Sequence, residues 1–349
     1  MRAMSPNALV PARGGGRFAD HRAKLRTRTY QTAALNPPTA PREVIPVTAR
    51  DGAELRVHAY GPEDGPALVL AHGWTCCLEY WNPQINAFAD KYRVIAYDQR
   101  GHGDSDFGSS PLSMDLLADD LADVLAAALA PGEKAALVGH SLGAMTVQAW
   151  AGRYPHRVAE QLDAVVLTNT GPDSLVAETT LLPLLNKPLG SRARRIPMPR
   201  WLGRIGLGMP LLFPPIAPFR RLFANGIMSK AATGDVLDFS LSIVRSCPAL
   251  VRAKYGVLLS RMDVGQAARK LVVPTTVIAG EFDDLTPAVH AERICRMLAD
   301  TGSLDAYRLL PTGHLGNAEA YAEFNLELAR VLESVRDRGQ PDADVEIAG

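Results

Sequence analysis

The pentapeptide Gly139-His140-Ser141-Leu142-Gly143 is the segment of this chain best equipped for covalent chemistry. It lies between a β-rich run, Ala135 to Val138, and a helix-forming run, Leu142 to Arg153. A serine at such a junction sits on a sharp turn, which small flanking residues make sterically possible. The turn lifts the hydroxyl clear of the sheet and sets it at the start of the helix, where backbone N–H groups and the helix dipole favour negative charge. The competing reading of Ser141 is an N-cap serine whose oxygen accepts from the backbone a turn ahead.

A serine hydroxyl is a weak nucleophile unless a base takes its proton and an acid orients that base. The chain has eight histidines. His314, in Pro311-Thr312-Gly313-His314, follows the last β-rich run and shares a sheet edge with Ser141, so it is the expected base. His140 lies too close on the turn itself. His58, His156 and His290 are expected on elements with no link to that edge, and His72 is expected to hold its own loop through local backbone bonds. For the acid, Gly280-Glu281-Phe282-Asp283-Asp284-Leu285-Thr286-Pro287 follows the preceding strand, and Asp283 is the choice. Asp284 fits an N-cap-type role before Pro287, the reverse order of the two stays open, and Asp173 is a third candidate. A tetrahedral intermediate also needs donors for its oxyanion, and these are expected from the backbone N–H groups of Leu142 and of Trp74 in His72-Gly73-Trp74-Thr75.

Single elements must bring these distant residues together. Glu43 to Thr48 and Leu55 to Tyr60, around Asp51-Gly52, predict a hairpin. Short apolar runs at Ala67–Ala71, Arg93–Tyr97, Ala135–Val138, Ala164–Thr168, Thr276–Ala279 and Ala306–Leu310 predict strands. Helical periodicity falls between them at Tyr80–Asp90, Leu117–Ala128, Leu142–Arg153 and Pro287–Leu298, and a last helix carries Tyr321, Phe324, Leu328, Val331 and Leu332. Strands separated by single helices require parallel pairing with helices on both faces. From Gly171 to about Met262 the alternation stops, which makes an insertion of roughly ninety residues within one α/β unit.

The chain resembles the α/β-hydrolase superfamily over residues 43–335. The resemblance rests on His72-Gly73-Trp74, on Asp98-Gln99-Arg100-Gly101-His102-Gly103-Asp104-Ser105, on the elbow around Ser141, on Gly280-x-x-Asp283-x-x-x-Pro287 and on Gly313-His314, in that order. It implies a core of 43–170 and 263–335, a helical cap or lid of 171–262, Ser141 as nucleophile, His314 as base and Asp283 as orienting acid. It also implies that Asp98 to Ser105 is a structural turn. A serine rather than an aspartate at the elbow suits acyl transfer to esters, thioesters or lactones. Cofactor-free haloperoxidase or perhydrolase chemistry and carbon–carbon bond hydrolysis use the same three residues, and a non-catalytic binding protein of this fold is the third reading.

Composition narrows the partners. In 349 residues, 37 Lys and Arg balance 37 Asp and Glu, which argues against a nucleic-acid binder. The balance hides a segregation. Residues 1–42 carry eight basic residues against Asp20 alone, and 179–234 carry nine with no acid, so the remainder is acidic. Residues 1–42 read as a flexible basic arm and 336–349 as a C-terminal tail. Within the insertion, arginines alternate with apolar residues, and Trp201 and Phe213 are expected to line the substrate pocket together with the Trp74 indole. Two readings of that mixture stay open: a cap that takes a lipid-like ester and touches an anionic membrane surface transiently, or arginines that form only a solvated face. No P-loop or dinucleotide fingerprint is present, so no cofactor and no metal is expected. Cys76, Cys77, Cys247 and Cys295 show no framework spacing, and the first thirty residues hold Arg, Gly and Pro but no apolar signal-peptide run, so free thiols in a cytoplasmic protein are expected.

Overall fold

The computed structural model describes residues 17–173, 175–179, 223–230, 232 and 234–339. Within them the strands are β1 (Arg42–Thr48), β2 (Glu54–Tyr60), β3 (Ala67–Ala71), β4 (Arg93–Tyr97), β5 (Ala135–His140), β6 (Leu162–Thr168), β7 (Thr275–Gly280) and β8 (Leu304–Leu310). The helices are α1 (Arg17–Thr27), α2 (Asn82–Phe88), α3 (Met114–Ala128), α4 (Leu142–Arg153), α5 (Pro155–Gln161), α6 (Leu175–Glu178), α7 (Gly234–Ser246), α8 (Ala249–Leu259), α9 (Ala288–Asp300), α10 (Gly316–Glu319) and α11 (Tyr321–Gly339), with a further helical turn at 223–227.

One sheet contains all eight of these strands, in the order β1-β2-β4-β3-β5-β6-β7-β8. The expected hairpin is present: β1 and β2 pair antiparallel, turning at Gly52 with φ +82°. β2 pairs antiparallel with β4, and every pair from β4 through β8 is parallel. The chain leaves β3 towards β4 on one side, then returns past it to β5 on the other. The loops after β3 and β5 therefore flank the point where strand order reverses, the crevice in which open α/β sheets bind ligands.

Burial explains the layering. Along the central strands successive residues face opposite sides, so both faces must be apolar. Val69, Leu137, Val165 and Leu167 pack with α3, α4 and α9. Leu68, Leu70, Val138 and Val166 pack with α2, α7 and α11. The described part of the insertion is helical and rests on the core through Cys247, Val251, Tyr255 and Leu259, against Leu142 and Met145 of α4. Residues 180–222, including Trp201 and Phe213, lie outside the described residues.

Two boundaries differ from expectation. The segment read as a flexible arm is ordered and packed from residue 17 to residue 42. Leu25, Tyr30 and Leu35 are buried, and Tyr30 meets Phe239 edge-on at 5.6 Å. Arg22 pairs with Asp104 at 2.9 Å, Arg26 with Glu79 at 2.6 Å and Arg28 with Asp238 at 3.2 Å. Its positive charge is thus met by the acidic body of the same molecule, an interaction invisible in local composition. At the other end α11 continues to Gly339, past the point read as the start of the tail, and 340–349 lie outside the described residues. Among the described residues no helix is long and apolar enough to cross a membrane.

The turn after β4 is structural, as the resemblance implied. The fully buried Arg100 guanidinium donates to Asp120 at 2.8 and 2.6 Å and to Asp51 at 2.9 Å. Asp98 accepts from the Leu78 N–H at 2.6 Å and the Asp104 N–H at 2.9 Å. Replacing Arg100 by Ala leaves two carboxylates in the interior without their cation, which costs about 3–5 kcal/mol. Urea unfolding of Arg100→Ala should show a correspondingly lower midpoint at unchanged slope. A midpoint equal to wild type would contradict this account.

Candidate active site

Ser141 follows β5 directly, with φ 51° and ψ −116°, a conformation side-chain-bearing residues rarely adopt. The neighbouring glycines make the turn possible. A Cβ on Gly143 would stand 2.1 Å from the Ala71 carbonyl oxygen, and one on Gly139 would stand 2.6 Å from the Ala144 Cα. The elbow is pinned by the Ser141 N–H, which donates to Thr168 O at 2.9 Å, and by the Thr170 hydroxyl, which donates to Ser141 O at 3.0 Å. The Ser141 side chain makes no capping bond, which decides against the N-cap reading.

Its hydroxyl instead meets the imidazole of His314. The Ser141 Oγ to His314 Nε2 distance is 2.9 Å, and His314 Nδ1 lies 2.8 Å from Asp283 Oδ2. All three side chains are buried. The structure therefore joins Ser141 to two residues that lie more than a hundred positions away in the sequence. With Nδ1–H donating to the carboxylate, the Nε2 lone pair faces the hydroxyl and can take its proton. Burial pushes the Asp283 carboxyl up, but His314 beside it, the Thr286 N–H and the Asn169 amide outweigh this and bring it down to about 2.

Asp283, not Asp284, is the acid in contact. The Asp284 carbonyl accepts from the Thr179 hydroxyl, and the residue at the N-cap of α9 is Pro287. Asp173 lies 3.4 Å from Arg293 and away from the imidazole partners. The expectation for His290 needs correction. It begins α9 just after the Asp283 loop, and a Cβ on Gly171 would stand 2.7 Å from its ring, so it does sit at this edge. There it is enclosed by Arg293 at 2.7 Å and Glu178 at 3.3 Å. The first turn of a helix that follows a parallel strand starts at that strand's C-terminal end, which places His290 there.

Gly73 brings the loop after β3 against the elbow. A Cβ there would stand 2.6 Å from His140 Nδ1 and 3.1 Å from Ser141 Cβ. Among the described residues, no acceptor takes the N–H of Trp74 or of Leu142, so both remain available to an oxyanion. The half-buried Trp74 indole donates to Arg252 O of α8 at 3.1 Å and so ties the loop after β3 to the inserted helices. Two neutral histidines hold this loop. His72 accepts the Gln99 N–H at 2.9 Å and donates to Gly73 O at 2.8 Å, while His102 accepts the Thr75 N–H at 3.2 Å. Burial lowers the pKa of both, that of His102 to about 3. His140 donates through Nε2 to the His314 carbonyl at 2.8 Å, and burial brings it down to about 3. All four cysteines are free, and burial pushes the Cys247 thiol up to about 12 and Cys76 and Cys77 higher still, which leaves no thiolate to compete with Ser141.

Asn169 was not anticipated. It follows β6 with φ 47°, and its amide donates to Asp283 Oδ2 at 2.9 Å and to Gly313 O at 3.1 Å. The available signal was a polar residue just beyond a buried strand, in a side chain that tolerates the left-handed region. Thr286, whose hydroxyl donates to Asp283 Oδ2 at 2.7 Å, was not anticipated either.

The model of the family described as "alpha/beta hydrolase fold" matches residues 66–321. The chain belongs to that family. This α/β hydrolase is 29% identical over 280 residues to a bifunctional esterase/perhydrolase of Acinetobacter calcoaceticus, covering 76% of this chain and 92% of that protein. It is 26% identical over 289 residues to 3-oxoadipate enol-lactonase 2 of Acinetobacter baylyi, covering 82% and 96%. A hydrolase of Pseudomonas aeruginosa PA01 of known crystal structure superposes with a TM-score of 0.64 at 24% identity, covering 83% of this chain and 98% of that one, a likeness of fold.

The depressed Asp283 carboxyl has a consequence for stability. An unfolded aspartate titrates near about 3.9. Because the folded value is lower, the group stabilises the α/β hydrolase fully above the unfolded value, and that contribution is lost as pH falls from there through about 2. Between pH 5 and pH 3, wild type should therefore lose about 1 kcal/mol more than Asp283→Asn in urea unfolding. Parallel pH profiles for the two proteins would refute the link.

Proposed function

We propose that this α/β hydrolase is a serine hydrolase that cleaves the carboxylic ester, thioester or lactone of a small or lipid-like substrate through an acyl-enzyme. The observation that carries this reading is the unbroken chain from Asp283 through His314 to Ser141, at 2.8 and 2.9 Å. His314 Nε2 takes the proton as Ser141 Oγ attacks the carbonyl carbon. The developing oxyanion is met by the N–H groups of Trp74 and Leu142, the second at the positive end of α4. As the C–O or C–S bond breaks, the imidazolium returns the proton to the leaving group. Water, deprotonated by the same imidazole, then attacks the acyl-enzyme, releases the acid and regenerates Ser141. Asp283 stays ionised throughout and holds the ring. The reading needs no cofactor or metal, and a cytoplasmic location remains part of the proposal.

A second reading is favoured by the esterase/perhydrolase relative: hydrogen peroxide replaces water in the second step and a peracid leaves. Both readings share the acyl-enzyme and differ only in which nucleophile reaches it. The scaffold alternative is disfavoured because the nucleophile, base, acid and free backbone donors are all present in contact geometry.

A fluorophosphonate probe should label wild type and not Ser141→Ala. Across a panel of esters, thioesters and lactones, Ser141→Ala should lower turnover by about 10⁴- to 10⁶-fold while circular dichroism stays that of wild type. Equal labelling of the two proteins, or no turnover of any panel member by wild type, would count against the reading. Peracid formation, followed with added hydrogen peroxide and an acyl donor, separates the two nucleophiles.

A further inference from the structure

His314 is held by one more acid, which takes no part in the proton path above. Glu319 ends α10, five residues after the histidine, and its side chain turns back towards it. Its Oε2 accepts the Ser229 N–H at 2.7 Å and the Gly313 N–H at 3.2 Å, and its Oε1 accepts the Leu315 N–H at 3.2 Å. The carboxylate thus straddles the histidine, bonded to the residue before it and the residue after it. Ser229 belongs to the inserted cap. A second cross-link runs the opposite way, from the His314 N–H to Ile227 O at 2.7 Å. The two backbones are in contact here: a Cβ on Gly313 would stand 2.5 Å from Ile227 O and 2.6 Å from Met228 Cα.

Among the described residues no Lys, Arg or His lies within ion-pair distance of Glu319, and burial raises its pKa. Three backbone N–H groups and the Ser229 side chain compensate a charge that costs several kcal/mol to bring inside. An apolar side chain would fill the space but leave the Ser229, Gly313 and Leu315 N–H groups without this acceptor, so packing does not account for the acid. What only a carboxylate supplies is two oxygens that both accept. A glutamine at this point turns an N–H₂ group towards at least one of the three donors.

We propose that Glu319 is a positioning residue, which keeps the His314 imidazole in line with Ser141 by clamping the backbone on both sides of the histidine and tying it to residues 227–229 of the cap. The inference rests on the serine-hydrolase reading. It predicts a loss in turnover rather than in substrate binding, since a ring displaced by a fraction of an ångström still leaves the acyl and alcohol contacts intact.

The test compares wild type, Glu319→Gln and Glu319→Asp with p-nitrophenyl acetate, well below each protein's melting temperature and per folded molecule by circular dichroism. Glu319→Gln should lower kcat by about 10- to 100-fold with KM changed by less than about twofold. Glu319→Asp, which keeps both acceptors on a shorter arm, should recover part of the loss. Wild-type kcat in Glu319→Gln overturns the proposal, even if its melting temperature falls. If the Gln variant does not fold, wild-type kcat in Glu319→Asp overturns it instead. Wild type that neither turns over an ester nor takes a fluorophosphonate label defeats the hydrolase reading, and the positioning role falls with it. An active wild type with an unaffected Gln variant defeats the positioning role alone.

Discussion

At Ser141 the backbone is forced into the left-handed half of conformational space, and the rest of the site is arranged around that one residue. A side-chain-bearing residue held there costs on the order of 1–3 kcal/mol and persists only where its surroundings over-determine it. Here they do so by exclusion. Gly143 lets the first turn of α4 lie against the Ala71 carbonyl, Gly139 lets β5 pass under Ala144, and Gly73 lets the neighbouring loop touch Ser141 itself. A Cβ at Gly143 or Gly139 would collide with backbone, which cannot rotate away, and one at Gly73 would collide with the buried His140 ring. The same close approach that strains the serine brings two backbone donors to its side, so strain and electrostatic preparation have a single origin.

Histidines crowd this rim, and burial sorts them. His72, His102 and His140 are enclosed without a carboxylate in contact, so desolvation keeps them neutral and they serve as fixed donors and acceptors for the backbone. His314 differs in having Asp283 at hydrogen-bond distance on one ring nitrogen and a hydroxyl on the other. Asp283 in turn is saturated by Asn169, by the Thr286 hydroxyl at Oδ2 and by the backbone N–H groups of Leu285 and Thr286 at Oδ1. A carboxylate so fully satisfied remains ionised in the interior and gives the imidazole one orientation. The partners that set this imidazole apart from the three enclosed rings come from three different strand ends.

The segregated charges of the chain find a related explanation. Arg22 and Arg26 of α1 lie against Asp104 and Glu79, beside the turn and the loop that support the site. Arg28, and the backbone of Thr32, reach Asp238 and Asp235 of the cap helix α7. From residue 17 on, a segment that reads as a loose basic arm instead bridges the loops beside the sheet and the inserted helix α7. Composition alone could establish that opposite charges were concentrated in different stretches, but the partners of a charge depend on the fold.

Strand and helix periodicity, the Asp-Gly hairpin and the order Ser141, Asp283, His314 were all legible in the amino-acid sequence, because each depends on spacing within a short window or on the requirement that parallel strands end at one rim. The exclusion of Asp284, which the sequence had left open beside Asp283, the packing of residues 17–42 and the position of His290 required coordinates. So did Asn169, Thr286 and Glu319, whose partners lie on other segments or whose approach depends on the path of a loop. Local sequence determines which elements form and which face they bury. Which polar side chains meet where those elements converge is decided by tertiary structure, since a hydrogen bond depends on tenths of an ångström that no periodicity encodes.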